Sequence, residues 1–279
     1  MNLPKILIFF TLFILILSCS KKEEKVSIIE EKNLDLQMVE AYNEGLKELD
    51  KGDVIFAAKK FNEVELLYPQ SIWAARSTLM AAYAYYSQLY YSDAIFELER
   101  FLDKYKNHPR TDYAYYLLAI CHYNQIIDET KDLGEIIKAQ KYFEILVNEY
   151  PNTEFALDSE FKLELIKEIL ASKEMYLARY YLDREKWIPA MNRFKKISTD
   201  YSTTIYIEEA LHRLVELNYK LGLLDEANKY AAVLGYNYQS SQWYEASYKI
   251  INKDYEKILK KKDIKKQKSI LKKFKDIFK

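Results

Sequence analysis

The sequence predicts an all-α fold, a solenoid of about five helical hairpins, and two observations carry that prediction. First, one pattern occurs five times: Ala, an apolar residue four positions later, another at seven, and Tyr at eleven. Offsets of 0, 4, 7 and 11 share one face of an α-helix, so each copy predicts an amphipathic helix. Second, the copies start 37, 45, 51 and 37 residues apart, which is typical of stacked helix pairs. The copies occupy residues 57–68, 94–105, 139–150, 190–201 and 227–238.

The composition agrees with a helical array. The chain has 279 residues, of which 49% are hydrophobic and 30% charged, a balance typical of folded chains. Only five Gly and five Pro occur, too few for a β fold rich in loops. The net charge is zero, but it is unevenly distributed, because residues 253–279 contain twelve Lys and four acidic residues.

The connections after the repeated pattern also resemble one another. After Tyr68 come Pro69 and Ser71, and the same order of Tyr, Pro and a hydroxyl residue returns at 150–153. A similar stretch without Pro follows at 201–204. Pro does not continue a helix and Ser or Thr caps the next one, so each stretch predicts a helix end followed by a new start.

The first copy fits a known repeat. Gly45, Gly52, Ala57, Phe61 and Pro69 fall at the spacing of the tetratricopeptide repeat (TPR). The resemblance implies a TPR-type array of about five repeats over residues 34–251, in which the first helix of each pair lines a concave groove.

The elements follow in order. Asp53 and Ser92 are expected to cap second helices, and Gly222 fits the position just after a helix. A last helix is expected after Ser240 or Ser241 to cap the array. The predicted helices are 34–51, 53–68, 72–90, 93–105, 112–126, 133–150, 154–184, 189–200, 205–221 and 225–234.

The N-terminus is a targeting segment. Lys5 precedes a mainly apolar run of twelve residues, fewer than the roughly 20 needed to span a bilayer. The run ends at 16–19 in Ile-Leu-Ser-Cys, which resembles the bacterial lipobox. That resemblance implies a signal peptide over 1–18, lipidation at Cys19 and a flexible tether over 19–33. An ordinary secretory signal or a membrane anchor is the alternative.

No residue pattern indicates catalysis. Apart from Cys19 the chain has only Cys121, and His108, His122 and His212 lack metal-ligand spacing. Phosphate-binding glycine motifs and the nucleophile elbow are missing from the sequence. The prediction is a protein that is not an enzyme and has neither a cofactor nor a metal site.

The groove helices carry aromatic residues instead. Tyrosine offers a large contact area and a hydroxyl group at modest entropic cost, which suits peptide binding. Packing between helices is the alternative role. The groove helices are not basic, so no nucleic-acid partner is expected. The tyrosines that helical phase places toward the groove are Tyr42, Tyr83, Tyr86, Tyr116 and Tyr123.

The C-terminal tail, 252–279, is rich in Lys, with apolar residues at helical spacing. A basic amphipathic segment binds an acidic partner or anionic lipid in some proteins. In others such an end packs on its own array, and that interpretation is preferred.

Lipobox, tether and repeats together resemble the BamD family of outer membrane protein assembly lipoproteins. The resemblance covers about residues 36–251 and is carried by 84–86, 107–116, 180–193 and 234–244. It implies a scaffold on the periplasmic face of the outer membrane. The N-terminal repeats would receive the C-terminal strand of unfolded barrel proteins, and the C-terminal repeats would dock on the POTRA domains of a BamA-like insertase. Arg193 matches a family arginine on the docking side.

Two other functions stay open at this point. One is a different periplasmic TPR lipoprotein adaptor. The other is a surface lipoprotein that binds a nutrient through TPR-like helices.

Overall fold

The computed structural model describes residues 34–126 and 132–252. All regular elements in these two ranges are α-helices, which confirms the predicted fold class. The eleven helices are α1 (Leu34–Asp50), α2 (Val54–Leu67), α3 (Ile72–Ser87), α4 (Tyr91–Lys104), α5 (Thr111–Tyr123), α6 (Gly134–Glu149), α7 (Glu154–Asp183), α8 (Trp187–Asp200), α9 (Ile207–Lys220), α10 (Leu224–Asn237) and α11 (Gln242–Ile251).

The helices stack as five hairpins, α1–α2 to α9–α10, followed by α11. Each helix packs mainly on its neighbours in sequence, as expected for a quasi-one-dimensional array. The first helices of successive hairpins also touch, as in α1 with α3, α3 with α5 and α5 with α7, so they form a continuous inner layer. Helix α11 covers α9 and α10, which confirms the predicted capping helix.

The repeated pattern forms the seam between the helices. In four hairpins one Phe of the pattern is fully buried, four residues after the Ala in three copies and seven residues after it in the second copy. The small Ala lets the neighbouring helix approach closely, and the ring fills the remaining space. Truncating such a ring to Ala typically lowers the free energy of unfolding by about 3–5 kcal/mol, so the ring contributes strongly to the stability of these four hairpins. The four rings are Phe61, Phe101, Phe143 and Phe194.

Helix starts follow the predicted cap chemistry in several places. The side chains of Asp53 and Ser71 accept from backbone N–H groups three residues later, at 3.1 and 3.2 Å. Thr153 does the same at 3.2 Å. Ser241 accepts from the backbone N–H of Trp243 at 3.1 Å. Each bond satisfies one of the amides that a helix start leaves open.

Two expected caps are wrong. Ser92 lies inside α4, which begins at Tyr91. The N-cap residue of α4 is Tyr90, whose side chain makes no cap bond. The stretch 201–204 does not start α9 either: the N-cap of α9 is Tyr206, which makes no side-chain cap bond, and Thr204 donates its hydroxyl to the Tyr201 carbonyl at 2.8 Å. The helix begins three residues later, at Ile207.

Gly222 has a φ of +78° directly after the last residues of α9. This is the left-handed conformation that ends helices and favours Gly, so the prediction at this position is confirmed.

Three predictions from the sequence lie outside the described residues: the signal peptide 1–18, Cys19 with its tether to 33, and the tail beyond 252. Within the described ranges, none of the helices combines the length and apolar character that a membrane span requires.

Candidate functional site

A cavity of about 700 Å³ opens on the inner layer of the N-terminal hairpins. We call it the N-terminal groove. Its walls come from α3, from the α4–α5 connection, from α5 and from the first turn of α7, so residues far apart in sequence meet there. The lining residues are Ile72, Arg76, Leu79, Met80, Tyr83, His108, Arg110, Tyr113 and Phe155.

Arg76 forms one cationic edge of the groove. Its Nε donates to the hydroxyl oxygen of Tyr42 at 3.0 Å. The guanidinium also lies 5.1 Å from the ring centroid of Tyr42 and 5.2 Å from that of Trp73. These contacts orient the group while its charge stays unneutralised, because Arg76 forms no ion pair within the described ranges.

Arg110 is the second cationic group. It is exposed, and among residues 34–126 and 132–252 no carboxylate pairs with it. Its backbone N–H donates to Nδ1 of His108 at 3.2 Å. Burial, together with the charge of Arg110, lowers the pKa of His108. The imidazole is therefore neutral near pH 7, and the positive charge here belongs to the guanidinium.

Aromatic side chains form the wall opposite α3. The Tyr113 ring lies 5.5 Å from Phe155, and the Tyr116 ring lies 4.9 Å from it. Burial raises the pKa of Tyr113 to about 12, so its hydroxyl stays protonated. The groove thus combines apolar and aromatic walls with two guanidinium groups, a set that suits an extended peptide bearing a carboxylate.

The predicted tyrosines separate into different environments. Tyr83 lines the groove and is 38% exposed. Tyr86 is half-buried and packs between Tyr83 and Tyr91. It supports the wall of the groove from behind.

Tyr116 and Tyr123 lie further along the inner layer, and both are half-buried. The Tyr116 hydroxyl donates to Oδ2 of Asp158 at 2.9 Å, and burial together with this bond raises its pKa. Lys162 lies over the Tyr123 ring at 5.5 Å. Both rings already have polar partners on α7.

Tyr42 lies in the core. It is only 4% exposed, because its ring fills the space between Phe61 and Trp73. The expectation that it faces the groove needs correction: its hydroxyl reaches Arg76, but its ring is inside the first hairpin. Ligand contact by the five tyrosines stays a prediction, and it is weakest for Tyr42.

The sequence interpretation missed most of the groove. Arg76 and Met80 precede Tyr83 by seven and three residues, so the helical phase that selected Tyr83 also covers them. His108, Arg110 and Phe155 come from a connection and from another hairpin, and no local pattern brings them together.

Arg193 lies at the start of the C-terminal half and has an intramolecular partner. Its Nη1 donates to Oε2 of Glu174 at 2.9 Å, and Nζ of Lys196 donates to Oε1 of the same carboxylate at 2.8 Å. The Glu174 side chain is 9% exposed, while that of Arg193 is 38% exposed. The guanidinium therefore holds a nearly buried carboxylate and also borders a shallow cavity of about 390 Å³. That cavity is lined by Tyr181, Ile188, Pro189, Asn192, Arg193 and Lys196.

Metal-ligating groups are scattered. In the described part of the chain, no three His, Cys, Asp or Glu side chains come together as a metal site. Burial raises the pKa of the Cys121 thiol to about 12, so this cysteine is a core residue and not a nucleophile.

Comparisons with known proteins agree with one another. The family model "YfiO: Outer membrane lipoprotein" matches residues 34–234. A relative from Caulobacter vibrioides, the outer membrane protein assembly factor BamD, is 38% identical over 235 residues, which cover 84% of this chain and 76% of the relative. BamD of Rickettsia prowazekii is 35% identical over 257 residues, which cover 92% of this chain and 100% of that protein. The match spans nearly all of the helical array, and the chain belongs to the YfiO family of outer membrane lipoproteins.

Proposed function

We propose that this protein is a non-enzymatic assembly factor for outer membrane proteins, a scaffold of the β-barrel assembly machinery. The relatives reported above bear that role in their names. The observation that carries the proposal is the N-terminal groove, with its aromatic walls and two guanidinium groups that lack a carboxylate partner within the described ranges. Such a site binds; it has no group placed to make or break bonds.

The proposed ligand of the groove is the C-terminal segment of an unfolded barrel protein. Such a segment is extended, carries aromatic residues and ends in a carboxylate. Its aromatic side chains would pack on Tyr83, Tyr113 and Phe155, and the terminal carboxylate would accept from Arg76 or Arg110. Guanidinium-carboxylate hydrogen bonds are among the strongest available to a protein surface, so they would fix the end of the segment in the groove.

The proposed second partner is a BamA-like insertase, bound through its periplasmic POTRA domains to the C-terminal hairpins. Arg193 and the exposed Ile188 border a cavity on that side. A carboxylate of the insertase would share the guanidinium with Glu174. One array would then hold the substrate at one end and the insertase at the other.

The proposed location is the periplasmic face of the outer membrane, with the lipid on Cys19 as the anchor. Two or more acyl chains bind a bilayer far more firmly than one. The proposal rests on the lipobox and on the family, whose description is an outer membrane lipoprotein.

The groove is tested with a fluorescent ten-residue peptide that has alternating aromatic residues and a C-terminal Phe. Fluorescence anisotropy compares the free carboxylate with the C-terminal amide. We expect the amide to bind at least tenfold more weakly, and the Arg110→Gln variant to lose most of this discrimination. The matched control is Arg184→Gln, since Arg184 lies outside the groove, over the Tyr180 ring. Equal binding of acid and amide by the wild-type protein would contradict the proposed recognition.

The insertase side is tested by isolating the tagged protein in mild detergent and identifying barrel proteins by mass spectrometry. A barrel protein with POTRA domains is expected with wild type and lost with Arg193→Glu. Retention by the variant would remove Arg193 from the interface but leave the function. Absence of such a protein from the wild-type sample would overturn the assembly function.

A further inference from the structure

The first half of α7 exposes an apolar ridge. Leu157, Phe161 and Leu165 are 60%, 65% and 50% exposed, and successive members are four residues apart, so they follow one side of the helix. Three large apolar side chains in a row on one helix are an unusual surface for a protein in water.

The same positions are buried in an earlier hairpin. Helices α3 and α7 both begin three residues after a Pro and one residue after a hydroxyl cap, which aligns Ala75 with Leu157 and Leu79 with Phe161. Ala75 is 5% and Leu79 is 8% exposed. Both pack against α4, the second helix of their hairpin. Leu165 aligns with Tyr83, which lines the N-terminal groove, so it is the first two ridge positions, Leu157 and Phe161, that correspond to surface covered by a second helix in the earlier hairpin.

The length of α7 explains the vacancy. It has 30 residues, whereas the first helices of the other hairpins have 13 to 17. Its partner α8 packs on the second half of α7, where Met175 and Ala178 meet Phe194. Among the described helices, the first half packs on α6 on one side, and no second helix covers the other side. We call this open position the vacant slot.

The border of the vacant slot is mainly acidic. Phe161, Glu160 and Glu164 from α7 and Glu144 from α6 line a cavity of about 390 Å³, together with Lys167, which pairs with Glu164. In the first two hairpins the corresponding position is occupied by α4, and its contacts show which residues pair with acidic groups there. There, Glu65 of α2 holds Arg100 and Lys104 of α4. An occupant should thus combine an apolar stripe with basic residues.

We propose that the vacant slot is filled by the C-terminal end of this same chain, residues 268–279. Ile270, Phe274 and Ile277 have helical spacing and would cover the ridge on α7, and the neighbouring lysines would meet the acidic border. Residues 253–279 have a net charge of +8, opposite to the border.

The connecting residues 253–267 are long enough for this. From α11 the path to α7 crosses α9 and α8, three steps between packed helices. Helix axes lie about 8–10 Å apart, so the distance across the array is about 30 Å. Fifteen extended residues reach about 50 Å, which leaves length for travel along the helices.

Disulfide formation in the full chain tests this placement. One variant combines Phe161→Cys with Ile277→Cys. The other combines Tyr236→Cys with Ile277→Cys, because Tyr236 is 86% exposed on the cavity between α10 and α11, the competing place for the tail. Both surface positions are exposed, so neither change should disturb the core. We expect the first pair to oxidise within one chain at least fivefold faster than the second.

Charge reversal adds a matched control. Glu164 pairs with Lys167 and Glu226 pairs with Lys229, both exposed pairs three residues apart. Glu164→Lys should slow the disulfide between residues 161 and 277 at least threefold, and Glu226→Lys should leave it unchanged. Faster oxidation at residue 236, equal slow rates for both pairs, or a disulfide found only between two chains would each overturn the proposal.

Discussion

Arg193 and Lys196 donate to the two oxygens of one nearly buried carboxylate, that of Glu174. The arginine expected to serve docking therefore also stabilises the fold. We expect Arg193→Glu to lower the free energy of unfolding by about 2 kcal/mol and Arg193→Gln by about 1 kcal/mol, because only the first adds a like charge beside Glu174. Urea unfolding followed by circular dichroism measures both values.

A double variant separates charge from packing at this position. Combining Arg193→Glu with Glu174→Gln removes the repulsion, and part of the lost stability should return. If the double variant is no more stable than Arg193→Glu alone, the carboxylate is not the reason for the loss. A loss of partner binding by an Arg193 variant should therefore be compared with its loss of unfolding free energy.

Gly45 in α1 allows close contact with a buried ring. A Cβ at this position would lie 2.7 Å from Cε1 of Phe61, whose side chain is fully buried. Gly45→Ala should therefore destabilise the protein by about 2 kcal/mol, although Ala normally favours a helix over Gly by about 1 kcal/mol. The control is Gly52→Asn, since Gly52 has a φ of +82° and open space around it. Asn tolerates this conformation, so its loss should stay below about 1 kcal/mol. A Gly45→Ala protein as stable as wild type would contradict the packing argument.

Glu65 makes stability depend on pH in the acid range. Burial acts to raise its pKa, but the hydrogen bond from Lys104 and the charge of Arg100 outweigh burial and lower it. A carboxyl whose folded pKa is lowered adds stability above its unfolded pKa of about 4.3, and that stability is lost as the pH falls through the folded value. The difference in unfolding free energy between wild type and Glu65→Gln, about 2 kcal/mol near pH 7, should therefore shrink below about pH 4.

Urea unfolding of both proteins between about pH 7 and about pH 3 measures this difference. The more exposed Glu63, which pairs with Lys60, supplies the control as Glu63→Gln. A constant difference across the range would show that Glu65 contributes through packing alone.

Cys19 is expected to carry the lipid anchor. Cells expressing wild type should incorporate a labelled fatty acid into the protein, and the protein should sediment with the outer membrane. Cys19→Ser should remove the label and release the protein into the soluble periplasmic fraction. Cys121→Ser is the control, because Cys121 is buried in the core. A labelled Cys19→Ser protein would place the lipid elsewhere.

The repeated pattern predicted the fold well because each copy contains the residues that pack in the seam between its helices. In α2, α4, α6 and α8, the Ala of the pattern and the apolar residues four and seven positions later are all buried. Helix ends were less accurate. Helix α8 begins at Trp187, two residues before the expected start at Pro189, because Pro is accepted anywhere in the first turn. Helix α10 continues to Asn237, three residues beyond 234.

The groove was predicted only in part. Helical phase identifies a side of one helix, and Tyr83, which it selected, lines the cavity, while its contact with a ligand stays a prediction. It also selected Tyr42, because phase does not reveal that Trp73 of the next hairpin closes over that ring. Arg110 and Phe155 are brought to the groove by the stacking of three hairpins, and that arrangement depends on contacts distant in sequence.

Helix α7 sets a fixed distance in this molecule. Phe155 at its start lines the groove, and Glu174, which holds Arg193, lies nineteen residues further along the same unbroken helix. At 1.5 Å per residue the two are about 28 Å apart along its axis. A continuous helix of this length bends little, so it keeps the N-terminal groove and the cavity beside Arg193 at a constant spacing. A change at either end would then be transmitted as a movement of the whole unit and not absorbed by a hinge between the two sites.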